Sequence, residues 1–169
     1  MGKNVRYYFF ALSIFFALSS WANQLTDLKV DSNWKIKYDP TQWNYIYFKQ
    51  ASSISSNIFE HKREKIRLIL QKETHLNPSP GNKNLMADEC LKAHQYFSKN
   101  FNGNATKVTI NSTELCYVEY KNISGDTNHE FLYPDSYKTR SYDLLTYTWK
   151  SKNPATKEIV INFLKGFLK

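Results

Sequence analysis

Lys3 and Arg6 are followed by an uncharged run from Tyr7 to Ser20 (YYFFALSIFFALSS), and this start decides how much chain is left to fold. Ser20-Trp21-Ala22 places small residues at the −3 and −1 positions of a cut after Ala22. A basic start, a short apolar stretch and an A-x-A-like site are the parts of a secretory signal peptide. Tyr7 to Ala22 is sixteen residues, several of them Ser or Tyr, whereas spanning hydrocarbon takes about 20. An uncleaved anchor is therefore the weaker expectation, and no cysteine lies near the cut to carry a bacterial lipid. Residues 1–22 are expected to be a signal peptide. Residues 23–169 are expected to form a single exported domain, periplasmic or secreted, with no transmembrane span after processing. That length suits one core.

Hydrophobic residues make up 41% of the chain and aromatics 16%, which excludes a disordered or collagen-like polymer. There are 23 Lys and Arg against 15 Asp and Glu; without Lys3 and Arg6 the balance is 21 against 15, or +6. A basic exported domain meets anionic lipid headgroups, acidic polysaccharide or an acidic partner protein. Nucleic acid is not an expected partner outside the cell. The one basic cluster, His61-Lys62-Arg63-Glu64-Lys65-Ile66-Arg67, contains Glu64 and adjoins a strand-like run, so it reads as a solvated hairpin tip or sheet edge.

Cys90 and Cys116 both follow the proposed cut, and export permits a disulfide. Three arrangements are open: a Cys90–Cys116 bond, two buried thiols, or a metal site using Cys90 and His94 at i, i+4. The bond is expected first, because nothing at metal-motif spacing supplies two further ligands.

Alternation of apolar and polar residues predicts strands at Trp34–Tyr38, Trp43–Gln50, Lys65–Thr74, Thr106–Ile110, Glu114–Asn122, Glu130–Tyr133 and Ser141–Lys150, with another starting near Asn57. Ala51 to Asn57 reads as a Ser-rich linker or hairpin loop, and His75 to Asn84, with two prolines and a glycine, as a loop. Leu85 to Asn100 reads as a helix with Met86, Cys90, Ala93 and Phe97 on one stripe, stopped by Asn102-Gly103-Asn104. A final helix has Asn153 as its cap, Pro154 in its first turn, and Ile159, Phe163 and Phe167 on one face. Val160, Leu164 and Leu168 widen that face enough to require packing on the sheet. The sum is an α+β domain: an antiparallel sheet of about five to seven strands with two packed helices.

Enzyme signatures are mostly missing. The glycines at 81, 103, 125 and 166 are too scattered to cradle phosphate. No serine sits between glycines, there is no CxxC, and His129-Glu130 is followed by Tyr133 where a zincin needs a second His. No cofactor is expected. His129, Glu130 and Asp126 are the best candidates for a small secreted hydrolase with an unrecognised His/carboxylate site. The sequons at Asn104, Asn111 and Asn122 are about as many as chance gives. Residues 129–142 (HEFLYPDSYKTRSY) place Phe131, Tyr133, Tyr137 and Tyr142 near Lys138 and Arg140. Tyrosine and arginine are enriched at binding hot spots, so Phe131, Tyr133, Tyr137 and Arg140 are candidate partner-binding residues, weighed against ordinary half-buried strand positions.

The opening Trp34-x-Ile36-x-Tyr38-Asp39-Pro40-x-x-Trp43 resembles the start of PsbP/Mog1-like domains, including small exported bacterial relatives. The ending, a hydrophobic strand at Leu144 to Trp149 followed by an amphipathic helix, is similar too. The resemblance implies an α-β-α sandwich with accessory or binding roles, commonly non-enzymatic. The expected function is thus an exported, non-enzymatic binding or accessory protein of the cell envelope, with an immunity-type protein in scope. Its partner would be another protein or an anionic envelope component.

Overall fold

The most regular alternation in the sequence, Ser141–Lys150, forms the central strand of a seven-stranded antiparallel sheet. The computed structural model describes residues 25–29, 35–51, 54–76, 84–135, 141–166 and 168. The proposed signal segment, Trp34, most of the proline-containing loop, Tyr137, Arg140 and Phe167 lie outside the described residues. Within them the order is β1 (Thr26–Lys29), β2 (Lys35–Tyr38), β3 (Trp43–Ala51), β4 (Ile54–His61), β5 (Arg67–Leu76), α1 (Leu85–Phe101), β6 (Asn104–Ile110), β7 (Thr113–Lys121), β8 (Thr127–Asp135), β9 (Ser141–Lys150) and α2 (Thr156–Lys165). The large sheet runs β3-β4-β5-β9-β8-β7-β6, and β1 and β2 pair as a separate hairpin. The fold is α+β, with a helix on each face of the sheet.

Period-two alternation sorts the side chains into those two layers. Leu145, Tyr147 and Trp149 of β9 face the same side as Leu68 and Leu70 of β5, Phe131 of β8 and Leu115 of β7. Val160, Phe163 and Leu164 of α2 close this layer, with Ile36 of β2 and Trp43 at the start of β3. The opposite layer is smaller: Cys90 and Ala93 of α1 lie on Cys116, Val118 and Leu132. Met86 and Phe97 pack at its rim, so the helical stripe read from the sequence is the stripe that is buried. A disulfide joins Cys90 to Cys116 and so ties α1 to β7.

α1 packs on β6, β7 and β8. The same face of the neighbouring strands stays half-exposed at Ile58, Ile69, Gln71, Thr146 and Thr148. One face of the sheet is thus covered along only part of its width.

The ends of α1 follow from chain chemistry. Asn102 takes the left-handed conformation (φ 50°), and the Gly103 N–H donates to the Phe97 carbonyl at 2.9 Å. A Cβ on Gly103 would lie 2.6 Å from the Tyr120 Cβ and 2.9 Å from the Glu119 carbonyl oxygen. Glycine is required there by close approach to β7, not by its own dihedrals.

Three elements differ from the sequence expectation. Ser55 and Ser56 read as loop residues but pair with β5, where Gln71 Nε2 donates to Ser56 Oγ at 3.1 Å. Cross-strand pairing overrides composition there. The hairpin strand β1 carries too short a pattern to be seen alone. α2 begins at Thr156, because Asn153 organises a turn: its Oδ1 accepts the Ala155 N–H (3.0 Å) and its carbonyl accepts the Thr156 N–H (3.1 Å).

The disulfide closes a separation of 26 residues. In the chain-entropy view its removal costs about 3–4 kcal/mol. The Cys90→Ala/Cys116→Ala protein is therefore expected to unfold at a clearly lower urea midpoint; an unchanged midpoint would show that packing alone holds α1.

Candidate functional site

The three residues that a hydrolase would need are not brought together. His129 and Glu130 are successive residues of β8 and face opposite layers. Glu130 lies on the α1 side, where burial raises its carboxyl pKa against the opposing effect of a 2.8 Å hydrogen bond from the Tyr120 hydroxyl. Asp126 ends the turn before β8, its N–H donating to Asn122 Oδ1 at 2.9 Å.

His129 sits instead in a buried polar chain on the α2 side. The Tyr117 hydroxyl donates to Glu119 Oε2 at 2.8 Å and lies 2.8 Å from His129 Nδ1. His129 Nε2 lies 3.3 Å from the Ser151 carbonyl oxygen. Both ring nitrogens lie within hydrogen-bond distance of groups of the fold. The imidazole is 5% exposed and stacks on Trp149 at 5.0 Å. Burial first, then Glu119, pushes the Tyr117 hydroxyl pKa far up. Lys157 lies 3.4 Å from the centroid of the Tyr117 ring, and burial lowers its ammonium pKa against the pull of Glu119. The cluster lines a cavity of about 220 Å³ together with Thr127, Lys152 and Pro154.

Of the aromatic candidates, Phe131 is fully buried between the sheet and α2 and offers no surface to a partner. Tyr133 is half-buried and leans on the same core. Tyr137 and Arg140 lie outside the described residues. Cys90, bonded to Cys116, is removed as a metal ligand, and His94 is exposed on the outer side of α1. Among the described residues no group of three His, Cys, Asp or Glu is placed to hold a metal. Two sequon asparagines are in use: Asn111 Nδ2 donates to the Leu168 carbonyl at 2.8 Å, and Asn122 Oδ1 accepts from Asp126.

A more open feature lies where β5 and β9 part. Their ladder ends at Ile69↔Thr148. Yet β5 runs back to Arg67, paired with Glu60 of β4, and β9 runs on to Lys150, paired with Asn128 of β8. The gap between them is a groove of about 530 Å³, a size that takes a side chain or a short segment. Glu64, Lys65 and Arg67 form one bank, and Thr148 and Lys150 the other. Ile69 lies on the floor, with the buried Ile66 and Trp149 beneath it. The rim therefore carries three cations and one carboxylate around an apolar base. Arg67 Nε contacts Glu60 Oε1 at 3.3 Å, but the arginine is 69% exposed, and such a pair contributes little.

The basic cluster is the hairpin tip that the sequence indicated, with residues 62–65 all exposed. What the sequence did not indicate is that Lys150, more than eighty positions away, lies across from it. The tip is closed by the His61 N–H to Ile66 carbonyl (2.9 Å) and Lys65 N–H to His61 carbonyl (2.9 Å) bonds. His61 Nδ1 accepts the Glu64 N–H at 3.1 Å, and the ring stands edge-on to Trp43 at 4.9 Å. Lys65 itself is left-handed, at φ 54°.

No protein-family model, curated protein or solved structure matches the chain.

Burial holds the His61 pKa below its ordinary value of 6.5, with Glu64 opposing and Arg63 reinforcing the shift. The unfolded chain therefore takes up this proton before the folded one does. His61 contributes stability that is fully present above about pH 6.5 and is lost as pH falls below it. Urea midpoints measured from pH 7.5 downward should decline through that window, and His61→Phe, which keeps an aromatic ring beside Trp43, should flatten the decline.

Proposed function

We propose that the protein is an exported, non-enzymatic binding or accessory protein of the cell envelope, periplasmic or secreted, that works by surface complementarity. Its partner is another protein or an anionic envelope component, and an immunity-type protein that neutralises a toxin is one member of this class. The observation that carries the reading is the half-covered sheet face with the cationic β5–β9 groove at its end. Three further features support it. The first residues have the pattern of a signal peptide, the Cys90–Cys116 bond is compatible with an oxidising compartment, and the chain past residue 22 carries a +6 balance. The proposal includes kinship with PsbP/Mog1-like domains, argued from the Trp34-to-Trp43 motif. The hydrolase reading has less support, since His129 is buried against Trp149 and Glu130 lies on the other layer.

A benzophenone cross-linker placed at position 148, on the open face, should couple to a discrete envelope component when the protein is incubated with the envelope fraction of its host. The same probe at position 158, on the exposed side of α2, should not. Equal coupling from both positions, or from neither, would remove the open face as the working surface.

A further inference from the structure

The groove combines two chemistries that few ligands match together. Its rim is cationic, and among the described residues neither Lys65 nor Lys150 has an ion-pair partner although both are exposed. Its floor is apolar: Ile69 lies directly opposite Ile58 on β4, so the hydrophobic strip continues onto the open face. A phosphate or a sulfated sugar would satisfy the rim and leave the isoleucines unpaired. A neutral apolar segment would do the reverse.

Lys65 adds an independent sign. A left-handed conformation costs a non-glycine residue about 1–2 kcal/mol, and glycine is the residue that relieves it. Lysine stands at this position in the tip and lines the groove. Strain retained where a side chain reaches a cleft is motivated by use of that side chain.

We infer that the groove between β5 and β9 seats an extended acidic–hydrophobic segment of a partner protein, with carboxylates on Lys65, Arg67 and Lys150 and an apolar side chain over Ile69. This rests on the binding role proposed above and names the chemistry of the partner. Charge-assisted bonds to the rim supply orientation, and burial on the isoleucine strip supplies contact area.

The test uses a fluorescein-labelled nine-residue peptide of alternating Glu and Leu, its Gln-for-Glu counterpart, heparin, and phosphatidylglycerol vesicles. The acidic peptide should bind saturably and more weakly as salt rises. The Gln counterpart should bind at least tenfold more weakly, and Arg67→Gln and Lys150→Gln should each weaken the acidic peptide at least threefold. Lys65→Gly should raise the thermal midpoint while weakening the peptide, two opposite signs that a merely structural lysine would not give. Binding indifferent to all three substitutions overturns the inference. So does a Lys150-dependent heparin or vesicle interaction without peptide binding. If the cross-link from position 148 persists while the peptide fails, the inference falls and the binding role stands. If both fail, both fall.

Discussion

The indole of Trp149 holds the molecule together. It is 1% exposed near the end of the central strand, stacked against His129 at 5.0 Å and Phe131 at 5.4 Å. Its Nε1–H donates to Thr156 Oγ1 at 3.3 Å, and that hydroxyl donates in turn to the Asn153 carbonyl at 2.7 Å. The central strand, the turn after it and the first residue of α2 are thereby locked into one unit. A ten-residue helix is too short to stand alone in water, so α2 exists because this contact and the burial of Val160 and Leu164 hold it down. Truncating such a tryptophan costs about 3–5 kcal/mol. From α2 the aromatic packing continues through Phe163 to Trp43 and Phe59, which brings β3 and β4 into the same core.

The same arrangement holds a strand histidine inside the core. His129 fills space beside Trp149, and its two nitrogens lie within hydrogen-bond distance of a tyrosine hydroxyl and a main-chain carbonyl. Freedom lies on the other face, where α1 spans only part of the sheet and is fastened to β7 by the disulfide. The groove belongs to the uncovered part. The open face and the two helices thus occupy separate parts of the molecule.

Much of this was legible in the residues. The 3.6-residue stripe at Met86, Cys90, Ala93 and Phe97 gives α1 and its buried face, and the apolar-rich run Ser141–Lys150 gives β9 with the same bounds. Of the arrangements open to the two cysteines, the bond expected first is the one formed. What composition hid was whatever depends on a distant partner. Serines at 55 and 56 look like a loop until β5 lies beside them, and Asn153 looks like a helix cap until Trp149 claims Thr156. The candidate site was hidden for the same reason. Lys65 and Arg67 were visible as a cluster and Lys150 as an isolated charge, and only the antiparallel register of β5 with β9 brings them across one gap. His129 and Glu130, adjacent in sequence, were separated by the very periodicity that makes β8 a strand.

The central position of β9 also orders events in time. β3, β4 and β5 form one set of consecutive antiparallel neighbours, and β6, β7 and β8 form another. Each can zip from local turns as soon as it is made, but within the described sheet β9 is the strand that joins the two. Thr74 and Asp143, whose side chains bond at 2.8 Å, are 69 residues apart. Contacts of such long sequence separation form slowly because the intervening chain must first be closed into a loop. The two sets therefore stay separate halves of the sheet until residues 141–150 pair with both of them.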